Sequence, residues 1–377
     1  AGVAIDDEKI VSISKEAHLP PADDTIRLKG RILMAGGIDV HPHVFDPEFM
    51  GNREDFDSGT LAAAMGGLTS ITEMPTWTPC LSRERMEFKL KEGQKKSYID
   101  FGLHSGNVKT LEDFQGIDEL VSMGICSFKG FTCAPYLADD FTLLSLLRML
   151  GRRGILMVHS ENEAIVDNET KKLRNQGRRD PVAFHESRPN IAEEEAVSRI
   201  SIFATRSNSR AHVAHMSTAG GKQVVEEAKK RGIDISAETC PHYLVYTKND
   251  ARKLGPYLKM SPPARNVEDR EALWLGLKDG TIDMVASDHY PTFKEDREKG
   301  WSDIWEVLSG LPGIETMLPV LISEGFNKGR LSLADVSRVI SENPAKRFGL
   351  PPNKGTIRIG ADADLVAVDV DKEWQIR

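Results

Sequence analysis

The chain has 377 residues, 40% hydrophobic and 28% charged, which is the balance of an ordinary globular protein with enough apolar mass for a barrel-sized core. Its formal net charge of −8, with no basic stretch interleaved with aromatics, argues against nucleic acid or an anionic membrane surface as a partner. No apolar run approaches the roughly 20 residues of a membrane span, no signal-peptide pattern opens the chain, and the four cysteines (Cys80, Cys126, Cys133, Cys240) form neither a CxxC pair nor a zinc-finger spacing, so reduced thiols and a cytoplasmic location are expected.

The first expected element is a strand at Ile10-Val11-Ser12-Ile13. The chain opens at Ala1, without a methionine, and stops soon after another alternating segment, Asp364-Leu365-Val366-Ala367-Val368, so both ends are expected to be truncated. Between about Gly36 and Asp288 one rhythm repeats: a short apolar run ends in a polar or metal-binding type of residue, and a longer amphipathic stretch follows. The runs are residues 37–41, 68–73, 100–105, 124–129, 154–159, 210–215, 234–239 and 282–288; clear helices between them are 82–97 and 219–231. Such alternation argues for a parallel sheet of the α/β class, and eight strands argue for closure into a (β/α)8 TIM barrel rather than an open doubly wound sheet. No GxGxxG follows the first of these runs, so a dinucleotide site has no support. Before about Met34 and after about Leu350 the chain is richer in strand-and-turn patterns such as Lys354-Gly355-Thr356-Ile357-Arg358-Ile359-Gly360. The expected organisation is a barrel over residues 35–345 and a small β-sandwich domain assembled from residues 1–34 and 346–377.

Six side chains of ligand type stand at the C-terminal ends of expected strands: His41, His43, Lys129, His159, His215 and Asp288. In a barrel, that face carries the active site. His41 and His43 are one residue apart, so on an extended strand both point the same way, and neutral imidazole is the commonest protein ligand for zinc-like ions. Asp288 ends the apolar run Ile282-Asp283-Met284-Val285-Ala286-Ser287, where a carboxylate is poorly solvated without a cation nearby. Each has a plainer reading as well. A strand-end histidine can be structural, Lys129 near Phe128 and Phe131 can snorkel to solvent, and Asp288 can cap the next loop. The joint pattern over strands one, four, five, six and eight favours a metal site.

The segments Asp39-Val40-His41-Pro42-His43, Ser127-Phe128-Lys129-Gly130-Phe131, Val158-His159-Ser160-Glu161-Asn162 and Ala214-His215-Met216-Ser217 occur in an order that resembles the cyclic amidohydrolases, the family of hydantoinases, dihydropyrimidinases, allantoinases and dihydroorotases. Glu238-Thr239-Cys240-Pro241-His242-Tyr243-Leu244, Lys259-Met260-Ser261-Pro262-Pro263-Ala264-Arg265 and Ser287-Asp288-His289 add to it, and the resemblance runs on through Asn343-Pro344-Ala345 and Gly360-Ala361-Asp362-Ala363-Asp364-Leu365. It implies a hydrolase with two divalent ions, expected to be zinc, bridged by a carbamate that Lys129 forms with carbon dioxide. The apolar neighbours of Lys129 suit this, because burial leaves the neutral amine that carbon dioxide needs. His41, His43 and Asp288 would hold one ion, His159 and His215 the other. A hydroxide between them would attack a ring carbonyl, and Asp288 would carry its proton to the leaving ring nitrogen, giving an N-carbamoyl amino acid.

By the same resemblance Thr239 and Ser309 mark backbone contacts to the substrate. Glu161 and Asn162 stand either as residues that orient a ligand or as a solvated loop; His242 reads as structural, His212 and His185 as background, Trp301 and Trp305 as core packing. Dihydroorotases usually carry an arginine and an asparagine where this chain has Phe45 and Thr76, and allantoinases tend to have asparagine at the first of these, so both subgroups are disfavoured. Residues 71–75, 300–305 and 327–333 look most like the L-hydantoinase branch, and apolar Phe45 and Trp77 suit a ring with an apolar substituent. The implied partner is a small cyclic amide, the implied assembly a homodimer or homotetramer. The competing reading is a non-catalytic barrel scaffold, which would purify without stoichiometric metal; here all six ligand types remain.

Overall fold

The computed structural model describes residues 1–44, 53–76, 78–350, 353–373 and 375. In chain order the strands are β1 (Gly2–Asp6), β2 (Lys9–Ser14), β3 (Ile32–Ala35), β4 (Gly37–Asp39), β5 (Leu68–Glu73), β6 (Asp100–Leu103) and β7 (Ser105–Val108). There follow β8 (Ser127–Phe131), β9 (Ile155–His159), β10 (Arg210–Val213), β11 (Ile235–Thr239), β12 (Met284–Val285) and β13 (Leu365–Val368). β4 to β6 form one parallel ladder and β7 to β12 another. β6 and β7 are halves of one barrel strand broken at His104; the first half pairs with β5 and the second with β8, which joins the ladders. On the opposite side Pro42 bridges His289 in parallel, His43 N donates to His289 O at 2.8 Å, and Ser287 N donates to Asp39 Oδ1 at 3.0 Å, so the ring closes as a (β/α)8 barrel.

All eight expected barrel strands are present, with shifted limits. The fourth begins at Ser127 rather than 124 because Gly124, at φ 95°, belongs to the turn that ends the preceding helix and donates to Val121 O at 3.0 Å. The eighth keeps only β12: Ala286 N still donates to Thr239 O at 3.0 Å, but Ser287 bonds to the side chain of Asp39 in place of a backbone ladder. Helix 82–97 is observed as Arg83–Lys96, where Ser82 Oγ accepts from Arg85 N at 3.4 Å; helix 219–231 is Ala219–Lys230, where Thr218 Oγ1 accepts from Gly221 N at 3.1 Å.

Strand alternation separates two cores. Leu156 and Val158 on β9 face the helices in one cluster with Phe128, Ala211, Val213, Ala237 and Val285. Ile155 and Met157 fill the barrel with Met74, Met284, Ala286 and Phe348. Phe348 plugs the bottom, edge-on to His104 and His212 with ring centroids 5.3 Å away in each case. Near the ends of the chain β3 pairs antiparallel with β13 and β1 with β2, and Lys9 bridges Asp362. Among the described residues no helix is long and apolar enough to cross a membrane.

Candidate metal centre

The barrel mouth brings the six ligand-type side chains together. Asp288 Oδ1 lies 3.6 Å from Nε2 of His41 and 3.6 Å from Nε2 of His43, and these three residues offer donor atoms all within 4.8 Å of one another. His159 Nδ1 and His215 Nε2 face each other at 3.0 Å. Lys129 Nζ is 3.1 Å from His41 Nε2, and the His41 ring centroid is 5.4 Å from that of His215, so the amine adjoins both groups. Lys129 is only 1% exposed and does not snorkel. Converging imidazole nitrogens and a carboxylate oxygen are the donor set of a zinc-like divalent ion, so the residues fit a pair of such ions.

Local backbone sets these directions. His212 points into the barrel, while Ala211 and Val213 pack on the helix side, so an uninterrupted strand would send residue 215 outward. Left-handed backbone at His215, φ 36°, turns it to the mouth, and Asp288 is also left-handed at φ 46°. Such conformations cost non-glycine residues about 1–3 kcal/mol each and persist where surrounding structure enforces them.

The electrostatics follow from burial and charge. Burial pulls His43 down to about 4, against the pull of Asp288. Burial likewise lowers Lys129 to about 8, with Glu238 and Asp288 opposing, so a useful fraction of amine is neutral. Burial holds His215 well below the usual histidine value. His159 goes the other way, to about 9, where burial is outweighed by Cys133 and Glu161. Burial would raise Asp288, but its bond with His43 and the charge of His41 hold it below the ordinary carboxylate range.

Three neighbours are not among the residues expected from the sequence. Glu238, fully buried, bonds His41 Nδ1 through one oxygen and His212 Nε2 at 3.0 Å through the other, and also accepts from His215 N at 3.2 Å. His41 and His212 hold its carboxyl far below the usual range despite burial. A carboxylate inside the run Ile235-Ser236-Ala237-Glu238 carries the same signal that singled out Asp288. By bonding Nδ1–H of His41, Glu238 leaves Nε2 facing Lys129 and Asp288, where it could hold an ion, so Glu238→Gln is expected to weaken metal binding about 10- to 100-fold, as chelator competition measures. Cys133 and Arg188, beside His159, are the other two.

Of the remaining expected residues, Thr76 sits in the site, with Oγ1 3.0 Å from His43 Nδ1, and orients that ligand. Thr239 ends β11 but turns inward: its hydroxyl donates to Met216 O at 2.8 Å and its carbonyl accepts from Ala286 N at 3.0 Å. Ser309 Oγ accepts from Ser261 Oγ at 3.2 Å. Glu161 Oε2 accepts from His159 Nε2 at 2.8 Å, the ligand-orienting reading, whereas Asn162 caps the next helix through Ile165 N at 3.1 Å. His242 is buried with Nε2 unpartnered, and His185 Nδ1 donates to Pro181 O at 3.2 Å. Trp305 Nε1 donates to Arg178 O at 2.8 Å, while Trp301 is 48% exposed, contrary to core packing. Phe45 and Trp77 lie outside the described residues.

Residues 32–376 match the profile of the amidohydrolase family. The L-hydantoinase of Paenarthrobacter aurescens is 34% identical over 383 residues, covering 100% of this chain and 83% of its own length. The allantoinase of Deinococcus radiodurans is 35% identical over 364 residues, covering 94% of this chain and 80% of its own. Among solved structures, the L-hydantoinase (dihydropyrimidinase) from Arthrobacter aurescens superposes with a TM-score of 0.94 at 34% identity, covering 99% of this chain and 84% of the other.

Proposed function

The chain belongs to the amidohydrolase family and is a cyclic-amide hydrolase, and from that premise we propose that it opens a hydantoin- or dihydropyrimidine-type ring to an N-carbamoyl amino acid. The convergence of His41, His43, Asp288, His159 and His215 around a buried Lys129 is the observation that carries this reading. His41, His43 and Asp288 would hold one divalent ion, His159 and His215 a second, and carboxylated Lys129 both; zinc is the metal proposed. When bound, such a pair supplies a hydroxide at neutral pH and polarises the ring carbonyl. Asp288 stays ionised beside His43 and His41, takes the proton of the attacking water, and hands it to the leaving ring nitrogen. Thr76 and Glu238 hold the two histidines of the HxH pair in the tautomer that offers Nε2.

The choice of ring rests on the L-hydantoinase relatives and on the residues at positions 45 and 76. The allantoinase relative, at 35% identity, favours allantoin as the second reading. A panel of hydantoin, dihydrouracil, allantoin and dihydroorotate with added zinc and bicarbonate tests both. Turnover of a hydantoin or dihydrouracil is the expected result, and turnover of dihydroorotate alone overturns the ring assigned here.

A further inference from the structure

Behind the His159 ring, on the side away from His215, a second group of donors meets the other nitrogen of that ring, and its Cys133 and Glu161 take no direct part in the ring opening proposed above. Cys133, His159 and Glu161 each offer a donor atom, and these lie within 4.8 Å of one another. All three are buried, Cys133 at 1% and Glu161 at 0% exposure. Glu161 Oε2 is shared by His159 Nε2 and the guanidinium of Arg188, while Oε1 is buried without a partner. A buried carboxylate oxygen left bare is unusual in a folded protein and suits a cation.

We propose that Cys133, His159 and Glu161 form an inhibitory site for a thiophilic divalent cation, such as cadmium or zinc in excess. Thiolate sulfur selects soft ions over the hard ones that carboxylates alone would take. On binding, the Cys133 thiol loses its proton to solvent as the sulfur–metal bond forms. The cation displaces Glu161 from Nε2 of His159, the proton of that nitrogen also leaves to solvent, and the ring is drawn toward Cys133 and Glu161. Drawn to that side, the ring withdraws Nδ1 from its place 3.0 Å from His215 Nε2, and a ligand of the catalytic pair is lost. Only this inhibitory consequence rests on the two-metal reading; the binding itself does not.

The test is titration of the metal-loaded protein with cadmium chloride, following sulfur-to-cadmium charge-transfer absorption, cadmium content and ring opening together. The expected result is a band that saturates at one equivalent while activity falls in step. Cys133→Ser should lose the band and raise the half-inhibitory cadmium concentration about tenfold or more, and Glu161→Gln should weaken both effects in the same direction. A band that survives in Cys133→Ser, or that vanishes only in Cys240→Ser, overturns the site. A full band with undiminished turnover overturns the inhibition. Because the band needs no substrate, a protein inactive on every ring would still report whether the site exists, which separates this outcome from failure of the catalytic reading.

Discussion

Lys129→Ala is expected to abolish ring opening, with a fall in kcat/KM on the order of 10⁴-fold or more, the scale on which losing a metal-generated nucleophile is felt. The side chain is 1% exposed, its amine lies 3.1 Å from His41 Nε2, and burial has already brought it to about 8. Those are the conditions for reaction with carbon dioxide: a neutral amine, fixed in place, shielded from competing water. Removing it deletes a side chain that adjoins both histidine groups. Metal content should therefore fall below two ions per chain, as elemental analysis will read. A short carboxylic acid such as propionate, small enough for the vacated space, should return part of the activity by standing in for the carbamate. Full activity in Lys129→Ala would remove the carbamate from the mechanism.

Asp288→Asn is expected to lower kcat by about 10²- to 10⁴-fold, the contribution of a positioned general acid–base group. The amide has the shape of the carboxylate and keeps an oxygen toward His41 and His43, where Asp288 Oδ1 now lies at 3.6 Å from both. It cannot accept the proton that the ring nitrogen must receive. The loss should thus appear in kcat more than in KM, with substantial metal retained. An equal loss in Asp288→Asn across substrates that differ in leaving-group basicity would argue against proton delivery by this residue.

The barrel was legible because eight apolar runs each end in a residue that does not belong in a core, and the centre was legible for the same reason. His41, Lys129, His159 and Asp288 interrupt or terminate buried segments, so the cost of placing them there marks them without any knowledge of contacts. His215 stands two residues past the end of β10, and the left-handed turn that aims it is not visible in the sequence, since nothing local in Ala214-His215-Met216 demands it. The residues that support the ligands act across long chain distances: Thr76 meets His43 from 33 positions away and Glu238 meets His41 from 197. Pairing over such separations leaves no periodicity to read. The break at His104 was hidden likewise, because it depends on one strand dividing its hydrogen bonds between two neighbours.

The junction between the first and last barrel strands is held by bonds such as His43 N to His289 O and Ser287 N to Asp39 Oδ1, the second between residues 248 apart in sequence. His41 and His43 stand on one side of that seam and Asp288 on the other. An ion held by all three would be a rivet through the wall, and the endurance of the wall to heat would become a matter of metal supply. At a thousandfold excess of free ion over its dissociation constant, such linkage adds about 4 kcal/mol to the folded state. Stripped of its ion, the barrel should come apart first along this line, with the helices on the opposite side still in place.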